Sequence, residues 1–177
     1  MSAHRFIQTD RLLVRTWREE DLDAFYQIMS DPRVFALIPE EPWTMDQTRD
    51  MIAWCRAHRL GCEPGYYNCP LILRENDTLI GRVGLNPFLK EERIPEIEWT
   101  IGADHWGQGY ATEIGRAMLW YGFVEAGFNE IRGFTSPGHL ASRRVMSKLG
   151  MTYLGDEVYR GAACSFYGIR REEWAAR

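Results

Sequence analysis

The stretch HWGQGYATE, residues 105–113, sets two glycines among bulky side chains where a strand gives way to a helix. It follows PEIEWTIG, which alternates like a strand, and it opens ATEIGRAMLWYGFVEAG, in which apolar residues recur at helical spacing. At such a junction the first N–H groups of the helix lack partners and the helix dipole is positive. Gly107 and Gly109 leave those groups accessible. The local pattern therefore predicts either an anion-binding loop or a tight turn that only needs positive φ.

Two well-known phosphate-binding motifs do not match this stretch. A dinucleotide-binding fingerprint would require glycine where Thr112 stands, and it would occur in the first strand–helix unit of the chain. A P-loop would require a lysine at the helix start, and WGQGYA contains none.

The composition is that of an ordinary globular protein. The chain has 177 residues, of which 45% are hydrophobic and 26% charged, and we expect one domain over residues 1–177. Its formal charge of -4 disfavours nucleic acid as a partner. The N-terminus lacks the apolar core of a signal peptide, and no run reaches the ~20 apolar residues that span a membrane. We therefore expect a cytoplasmic protein with no membrane partner.

The four cysteines give little sign of a disulfide framework or a metal site. Cys55, Cys62, Cys69 and Cys164 form no C-x-x-C pair, and a chain of this length does not need disulfides. With His58, the first three match no closed zinc motif in their spacing. We expect reduced thiols and no metal.

The remaining elements alternate between strands and helices, which predicts an α/β (α+β) fold. The opening strand carries Leu12 and Val14 on one face, and a helix is expected to begin after Thr44. Asn76-Asp77 has the composition of a hairpin turn. The other expected elements are a helix with Leu22, Phe25, Tyr26 and Met29 on its apolar face, a helix stopped by Gly127, the strand EIRGFT, the helix LASRRVMSKLG, and two final strands.

The motifs together resemble the GNAT superfamily of acyltransferases. WGQGYA is similar to that family's acyl-CoA loop, Q/R-x-x-G-x-G/A, with Trp106 at the first position. HWGQGYATE is typical of the branch related to ribosomal-protein N-terminal acetyltransferases. TDRLLVRTWREEDLDAFYQIMSDPRV, LIGRVGL, PEIEWTIG and HLASRRVMSKLGM resemble other segments of that branch, the last of them the motif N-x-x-S-x-x-V-x-x-K-L-G-F.

The resemblance implies the GNAT fold, a twisted mixed sheet of about seven strands flanked by about four helices. Its fourth and fifth strands, here PEIEWTIG and EIRGFT, splay apart to admit acyl-CoA. The implied activity is direct transfer of an acetyl group from acetyl-CoA to a primary amine, of a small molecule or a protein N-terminus. No cysteine stands where an acyl-enzyme would need one. A homodimer is possible, and a sensor or scaffold that binds acyl-CoA without turnover is the alternative.

The resemblance also implies which residues bind the cofactor. The backbone of Ile101, Gly102 and Ala103 would pair with the pantetheine arm. His139 stands at the family's usual asparagine position beside the cofactor, although it could simply cap a helix. Arg143, Arg144 and Lys148 could lie near the CoA phosphates or be solvated. The pyrophosphate would be cradled by Gly107, Gln108, Gly109, Tyr110, Ala111 and Thr112.

Amine acyl transfer requires a proton acceptor, because a protonated amine cannot attack a thioester. Glu96 and Glu98 share one face of PEIEWTIG, and Glu96 aligns with the glutamate of the family's E-I-G-Y/W strand, where Glu98 replaces glycine. Either could be the base, bind a cationic substrate, or face solvent. Met146 stands where many members have a tyrosine acid. Ser142 is therefore a candidate to contact the sulfur or protonate it, or else only a residue of the helix's first turn.

Aromatic residues between positions 39 and 67 are the candidates for acceptor binding, because this region supplies acceptor contacts in the family. We expect Trp43, Tyr66 and Tyr67 to roof the acceptor site together with Trp54. The same side chains could instead form a dimer interface.

Overall fold

One mixed sheet of eight strands organises the molecule, in the order β1-β2-β3-β4-β5-β6-β8-β7. The computed structural model describes residues 7–38, 40–58, 67–87, 94–159 and 161–176, without the side chains of Tyr67 and Pro87. The strands are β1 (Ile7–Gln8), β2 (Leu12–Val14), β3 (Tyr67–Leu73), β4 (Thr78–Pro87), β5 (Pro95–Ile101), β6 (Glu130–Thr135), β7 (Thr152–Tyr159) and β8 (Ala162–Arg170).

Six α-helices accompany these strands within the described ranges. They are α1 (Leu22–Met29), α2 (Pro32–Phe35), α3 (Met45–Ala57), α4 (Tyr110–Trp120), α5 (Leu140–Lys148) and α6 (Arg171–Ala175). The predicted architecture is confirmed, with two differences in count. The expected opening strand is a tight antiparallel hairpin of β1 and β2, and the short helices α2 and α6 accompany the four long ones.

The neighbouring strands pair antiparallel except at one place in the sheet. β5 and β6 run parallel, and in the described structure their register consists of one pair of residues, Glu96 opposite Arg132. The antiparallel ladder between β4 and β5 has seven such pairs, from Gly81 opposite Ile101 to Pro87 opposite Pro95. The sheet is therefore continuous on both sides of β5 and β6 but opens between them.

Two apolar clusters cover the two faces of the sheet. On one face α4 and α5 bury side chains such as Ile114 and Met146 against the strands. On the other, α1 and α3 contribute a cluster that includes Phe25 and Ile52. Helix α3 begins where predicted, because the Thr44 hydroxyl accepts the Gln47 N–H at 3.2 Å and the Gln47 side chain accepts the Thr44 N–H at 2.8 Å.

Helix α4 continues into a π-helical turn, Tyr121–Glu125, and ends before Gly127, whose φ is +76°. It packs closely against the end of α5. A Cβ added to Gly115 would lie 2.6 Å from a methyl group of Leu149, closer than any side chain tolerates. Glycine at position 115 therefore lets the two helices touch.

None of the described helices is long and apolar enough to cross a membrane.

Candidate active site

The opening between β5 and β6 lies where both strands lead into helices. Because the strands are parallel, their carboxyl ends face the same edge of the sheet, and so do the starts of α4 and α5. The strands are in contact at the base of the opening. A Cβ added to Gly133 would lie 3.3 Å from the Ile97 carbonyl oxygen, a closer contact than most side chains make. The expected fork between PEIEWTIG and EIRGFT is therefore present, with Glu96 and Arg132 at its base.

The edge of β5 that faces this fork carries the backbone groups of Ile101. The Gly102 N–H bonds to the Ile80 carbonyl at 2.9 Å, across the ladder to β4. Since successive residues of a strand point their N–H and C=O to opposite edges, those of Ile101 and Trp99 face the fork. The expectation for Gly102 needs correction here, because its N–H already has a partner in the sheet. Trp99 takes its place among the cleft-facing backbone groups.

Trp106 closes the end of that edge. Its indole N–H donates to the Ile101 carbonyl at 2.7 Å, while about half of the side chain stays exposed. Below it, the Trp106 N–H bonds to the Ala103 carbonyl at 3.3 Å, and Ala103 opens a single 3-10 turn. The indole thus fastens the start of the glycine loop to the end of β5. Because the indole occupies the Ile101 carbonyl, the Ile101 N–H is the group that remains available to a ligand in the fork.

The glycine loop itself has the geometry that the sequence predicts. Gly107 and Gly109 have φ values of +76° and +84°, a region that residues with a side chain rarely adopt. The first helical bond of α4 runs from the Glu113 N–H to the Gly109 carbonyl at 3.0 Å. The N–H groups of Tyr110, Ala111 and Thr112 precede it and have no partner inside the helix. No side chain caps this start, so an anion can approach it.

The turn between β1 and β2 forms hydrogen bonds with the same helix start. The Glu113 carboxylate accepts hydrogen bonds from the Thr9 hydroxyl at 2.6 Å, from the Arg11 N–H at 3.1 Å and from Arg11 Nε at 2.7 Å. Arg11 also donates to the Gln108 carbonyl at 3.0 Å and lies over the Tyr110 ring. Burial raises the pKa of the Glu113 carboxyl, but these hydrogen bonds outweigh it and hold the pKa below its ordinary value.

Helix α5 starts differently, with a side chain in the capping position. His139 Nδ1 accepts the Ser142 N–H at a long 3.4 Å, which is the capping role that the sequence left open for His139. Burial lowers the pKa of His139, so the ring is neutral at neutral pH and can accept this bond. Ser142 is nearly buried in the first turn of α5, and its hydroxyl bonds to no other described residue.

The basic residues of α5 divide into one that is engaged and two that are exposed. Arg143 donates to the Tyr167 hydroxyl and to the Pro137 carbonyl, both at 3.0 Å, so it holds the loop before α5 in place. Its engagement there argues against a contact with the CoA phosphates. Arg144 and Lys148 are exposed on the same helix. Met146 is buried beside Gly133, and a residue buried there presents no polar group to the fork.

The two candidate glutamates lie in different surroundings. Glu98 Oε1 accepts from Arg82 at 2.6 Å, and both side chains are largely buried. The role of Glu98 as a base stays a prediction, with its carboxylate engaged by Arg82. Glu96 lies at the base of the fork opposite Arg132, whose side chain bonds to Glu130 at 2.6 Å. Glu98 lies two residues further along β5, on the side where the two strands diverge.

The structure describes some of the predicted acceptor residues. The Trp43 ring lies 5.8 Å from the Arg82 guanidinium, above the Arg82–Glu98 pair and against the α1–α3 cluster. Tyr66 lies outside the described residues, and Tyr67 is described as the first residue of β3 without its side chain. Trp54 is half-exposed on α3 and stacks on His58. Trp43 therefore stands beside Arg82, the partner of Glu98.

Arg82 and Arg11 are the two residues of this region that sequence reasoning missed. Arg82 occurs in LIGRVGL, and its strand position opposite Thr100 on β5 places it beside Glu98. Only the pairing of strands reveals that contact. The TDR and ATE segments that hold Arg11 and Glu113 were both noted as motifs, but nothing in their spacing shows that they meet.

Within the residues that the structure describes, no group of three or more His, Cys, Asp or Glu side chains could hold a metal ion. Cys62 lies outside them. Cys55, Cys69 and Cys164 are buried free thiols. Burial raises the pKa of Cys55 to about 11 and also raises the pKa of Cys164, which keeps both thiols protonated and poorly nucleophilic.

Comparisons with known proteins agree with this geometry. The family model described as acetyltransferase (GNAT) domain matches residues 11–152. The N-acetyltransferase YnaD of Bacillus subtilis is 31% identical over 181 residues, covering 95% of this chain and 98% of YnaD. The crystal structure of a GNAT-family acetyltransferase from Bacillus anthracis superposes with a TM-score of 0.80 at 29% identity, covering 95% of this chain and 99% of the other.

A second similar structure is more distant in sequence. RimL, a ribosomal alpha-N-protein acetyltransferase in complex with coenzyme A, has a TM-score of 0.76 at 13% identity, covering 94% of this chain and 98% of its own. At that identity the likeness concerns the fold alone. With the family match over most of the chain, the expected family and donor are confirmed: the chain belongs to the GNAT family of N-acetyltransferases, which use acetyl-CoA.

Proposed function

We propose that this protein moves an acetyl group directly from acetyl-CoA to a primary amine, either of a small molecule or of a protein N-terminus. The observation that carries the proposal is the fork between β5 and β6, which opens from one register pair and ends at an uncapped helix start. The pantetheine arm would lie along the fork-facing edge of β5, at Ile101 and Trp99. The N–H groups from Gly107 to Thr112 would hold the pyrophosphate. The reaction would take place in the cytoplasm.

Glu96 is the proposed general base. It takes a proton from the substrate ammonium, directly or through water, and the freed amine attacks the thioester carbonyl carbon. The C–S bond then breaks, the nitrogen gives up its second proton to solvent, and the amide forms. A backbone N–H on the edge of β5 is suitably placed to stabilise the oxyanion that appears in between. Glu98 acts instead as a positioning group: Arg82 holds one of its carboxylate oxygens, and the other would accept a hydrogen bond from the acceptor.

Ser142 is the proposed proton donor to the departing CoA thiolate. It is nearly buried at the start of α5, next to the fork, and His139 holds its N–H. The serine hydroxyl would recover its proton from solvent. The described cysteines support direct transfer, because all three are buried and so are out of reach of a thioester.

The surroundings of Trp43 support the choice of acceptor. Its ring lies 5.8 Å from the guanidinium of Arg82, which is paired with Glu98, so an apolar face and a carboxylate stand near each other, which suits an amine carried on an apolar group. A protein N-terminus is a second possibility, since one structural neighbour is an alpha-N-protein acetyltransferase. A homodimer stays a prediction.

The proposal is tested by release of thiol from acetyl-CoA with a panel of amines and N-terminal peptides, with products identified by mass spectrometry. We expect Glu96→Gln to lower kcat by about 100-fold, the usual contribution of a general base, and Glu98→Gln to change mainly KM. A wild-type protein that binds CoA but releases no thiol with any amine would refute the proposal. Equal rates in Glu96→Gln and wild type would remove Glu96 as the base.

A further inference from the structure

The turn between β1 and β2 reaches the glycine loop through one arginine. Arg11 donates from Nε to the Glu113 carboxylate at 2.7 Å and from a terminal nitrogen to the Gln108 carbonyl at 3.0 Å. Its second terminal nitrogen lies 2.6 Å from the same carboxylate. The guanidinium therefore bridges two points of the loop and helix start, a main-chain carbonyl and a side chain.

The bond to the Gln108 carbonyl fixes a peptide plane. In a trans peptide the carbonyl oxygen and the following N–H point in opposite directions. A guanidinium that holds the Gln108 carbonyl on one side therefore turns the Gly109 N–H toward the other. The first helical bond of α4 is accepted by the Gly109 carbonyl, so the Gln108–Gly109 peptide itself is outside the hydrogen bonds of the helix.

The ion pair also removes a charge conflict. Glu113 lies in the first turn of α4, the position at which a negative side chain competes with a bound anion for the helix dipole. Arg11 and Thr9 occupy both of its carboxylate oxygens on the side of the β1–β2 turn. The carboxylate is thereby neutralised and kept away from the mouth of the loop.

We propose that Arg11 is a positioning residue for CoA binding, which orients the Gln108–Gly109 peptide and neutralises Glu113 without touching the cofactor. This inference rests on the proposed function, because it assumes that the loop holds the pyrophosphate. A lysine cannot bridge both acceptors with a planar fork, so the geometry requires arginine rather than any cation.

The test separates the pyrophosphate from the rest of the donor. Acetyl-CoA and acetyl-pantetheine carry the same thioester, and only the first has a pyrophosphate. We expect Arg11→Gln to raise the KM for acetyl-CoA at least about tenfold, the loss expected when one charged hydrogen-bond partner is removed. The kcat with acetyl-CoA and the kcat/KM with acetyl-pantetheine should stay at their wild-type values. Arg11→Lys should behave like Arg11→Gln in affinity.

Arg74→Gln is the matched control. Arg74 braces the same turn by donating to the carbonyls of Thr9 at 2.6 Å and Asp10 at 2.7 Å, but it has no contact with the loop. It should leave the KM for acetyl-CoA unchanged. If Arg11→Gln folds poorly, Arg11→Lys provides the second variant, because it keeps a cation beside Glu113 but cannot hold the Gln108 carbonyl and the carboxylate together.

Calorimetric binding of CoA and of pantetheine tests the inference independently of turnover. A selective loss of CoA affinity in Arg11→Gln supports it even if no amine is ever acetylated, so failure of the proposed function is distinguishable. Equal losses for both ligands, no loss for either, or full rescue by Arg11→Lys would overturn it.

Discussion

The helices α4 and α5 both start at the mouth of the fork, yet their first turns differ in capping. Helix α4 begins after a glycine with no capping side chain. The carboxylate of Glu113, in its first turn, is bound by Arg11 of the β1–β2 turn. Helix α5 begins with His139, whose ring occupies the capping position. A helix start that keeps its N–H groups unpaired is less stable by itself, and an anion can supply the missing partner.

The contrast shows how the family's fold divides its tasks at one edge of the sheet. The open start of α4 is suited to a phosphate, whereas the capped start of α5 holds Ser142 in place. The strands β5 and β6, which precede the two helices, do not reveal either task. Substitutions at the two starts should therefore separate affinity for CoA from stability of the fold.

The largest effect is expected from Gly109→Val. A β-branched residue is a steric outlier at a φ of +84°, so the chain either bears the strain or rotates the N–H groups away from the anion. We expect the Kd for CoA to rise by about 5- to 150-fold, as 1–3 kcal/mol of strain implies. Isothermal titration calorimetry measures it.

Gln108→Ala is the control for this prediction. The φ of residue 108 is not positive, so alanine can adopt it, and the backbone carbonyl of residue 108 remains available to Arg11. Its Kd should stay within about twofold of wild type, as expected for a surface side chain. A large loss in Gln108→Ala, or wild-type affinity in Gly109→Val, would contradict the idea that an open backbone defines the α4 start.

An intermediate effect is expected from His139→Ala, and it should fall on stability rather than on affinity. Loss of a capping bond costs about 0.5–2 kcal/mol, and the 3.4 Å length of this one favours the lower end. His139→Asn should restore the loss, because asparagine is a preferred capping residue. Urea unfolding measures both. If His139→Ala weakened CoA binding more than it destabilised the fold, His139 would be a cofactor ligand as well as a cap.

The smallest effect is a dependence of stability on pH. The pKa of His139 in the folded protein lies below its ordinary value of 6.5, so the unfolded chain takes up the proton first as the pH falls. The stabilising contribution is complete above 6.5 and is lost as the pH falls from there to the folded pKa. Between about pH 7.5 and 5.5, the Tm of the wild type should fall more than that of His139→Asn. Equal falls would show that other groups govern the change.

The order and type of the main elements were predictable from local pattern. Apolar spacing identified α1, Thr44 with Gln47 marked the start of α3, and Asn76-Asp77 marked the hairpin between β3 and β4. These signals act over a few residues, so the sequence carries them without reference to the fold. The positive φ values of Gly107 and Gly109 were also within reach, because two glycines at a strand-to-helix junction have few other uses.

Contacts between distant segments were not predictable in the same way. Arg82 and Glu98 are 16 residues apart, and Arg11 and Glu113 are 102 apart, so only the folded sheet brings each pair together. The same is true of Gly102, whose N–H was assigned to a ligand although the ladder to β4 had already engaged it. Charge and spacing reveal candidates for a site, but strand register decides which of them are still available.

Gly115 sets how closely the middle of α4 approaches the C-terminal end of α5. Leu149, which follows the last residue of α5, lies against bare backbone there, and a Cβ at position 115 would force its side chain to move. The spacing of the two helices on this face of the sheet therefore depends on the absence of a single methyl group, although position 115 lies outside the fork.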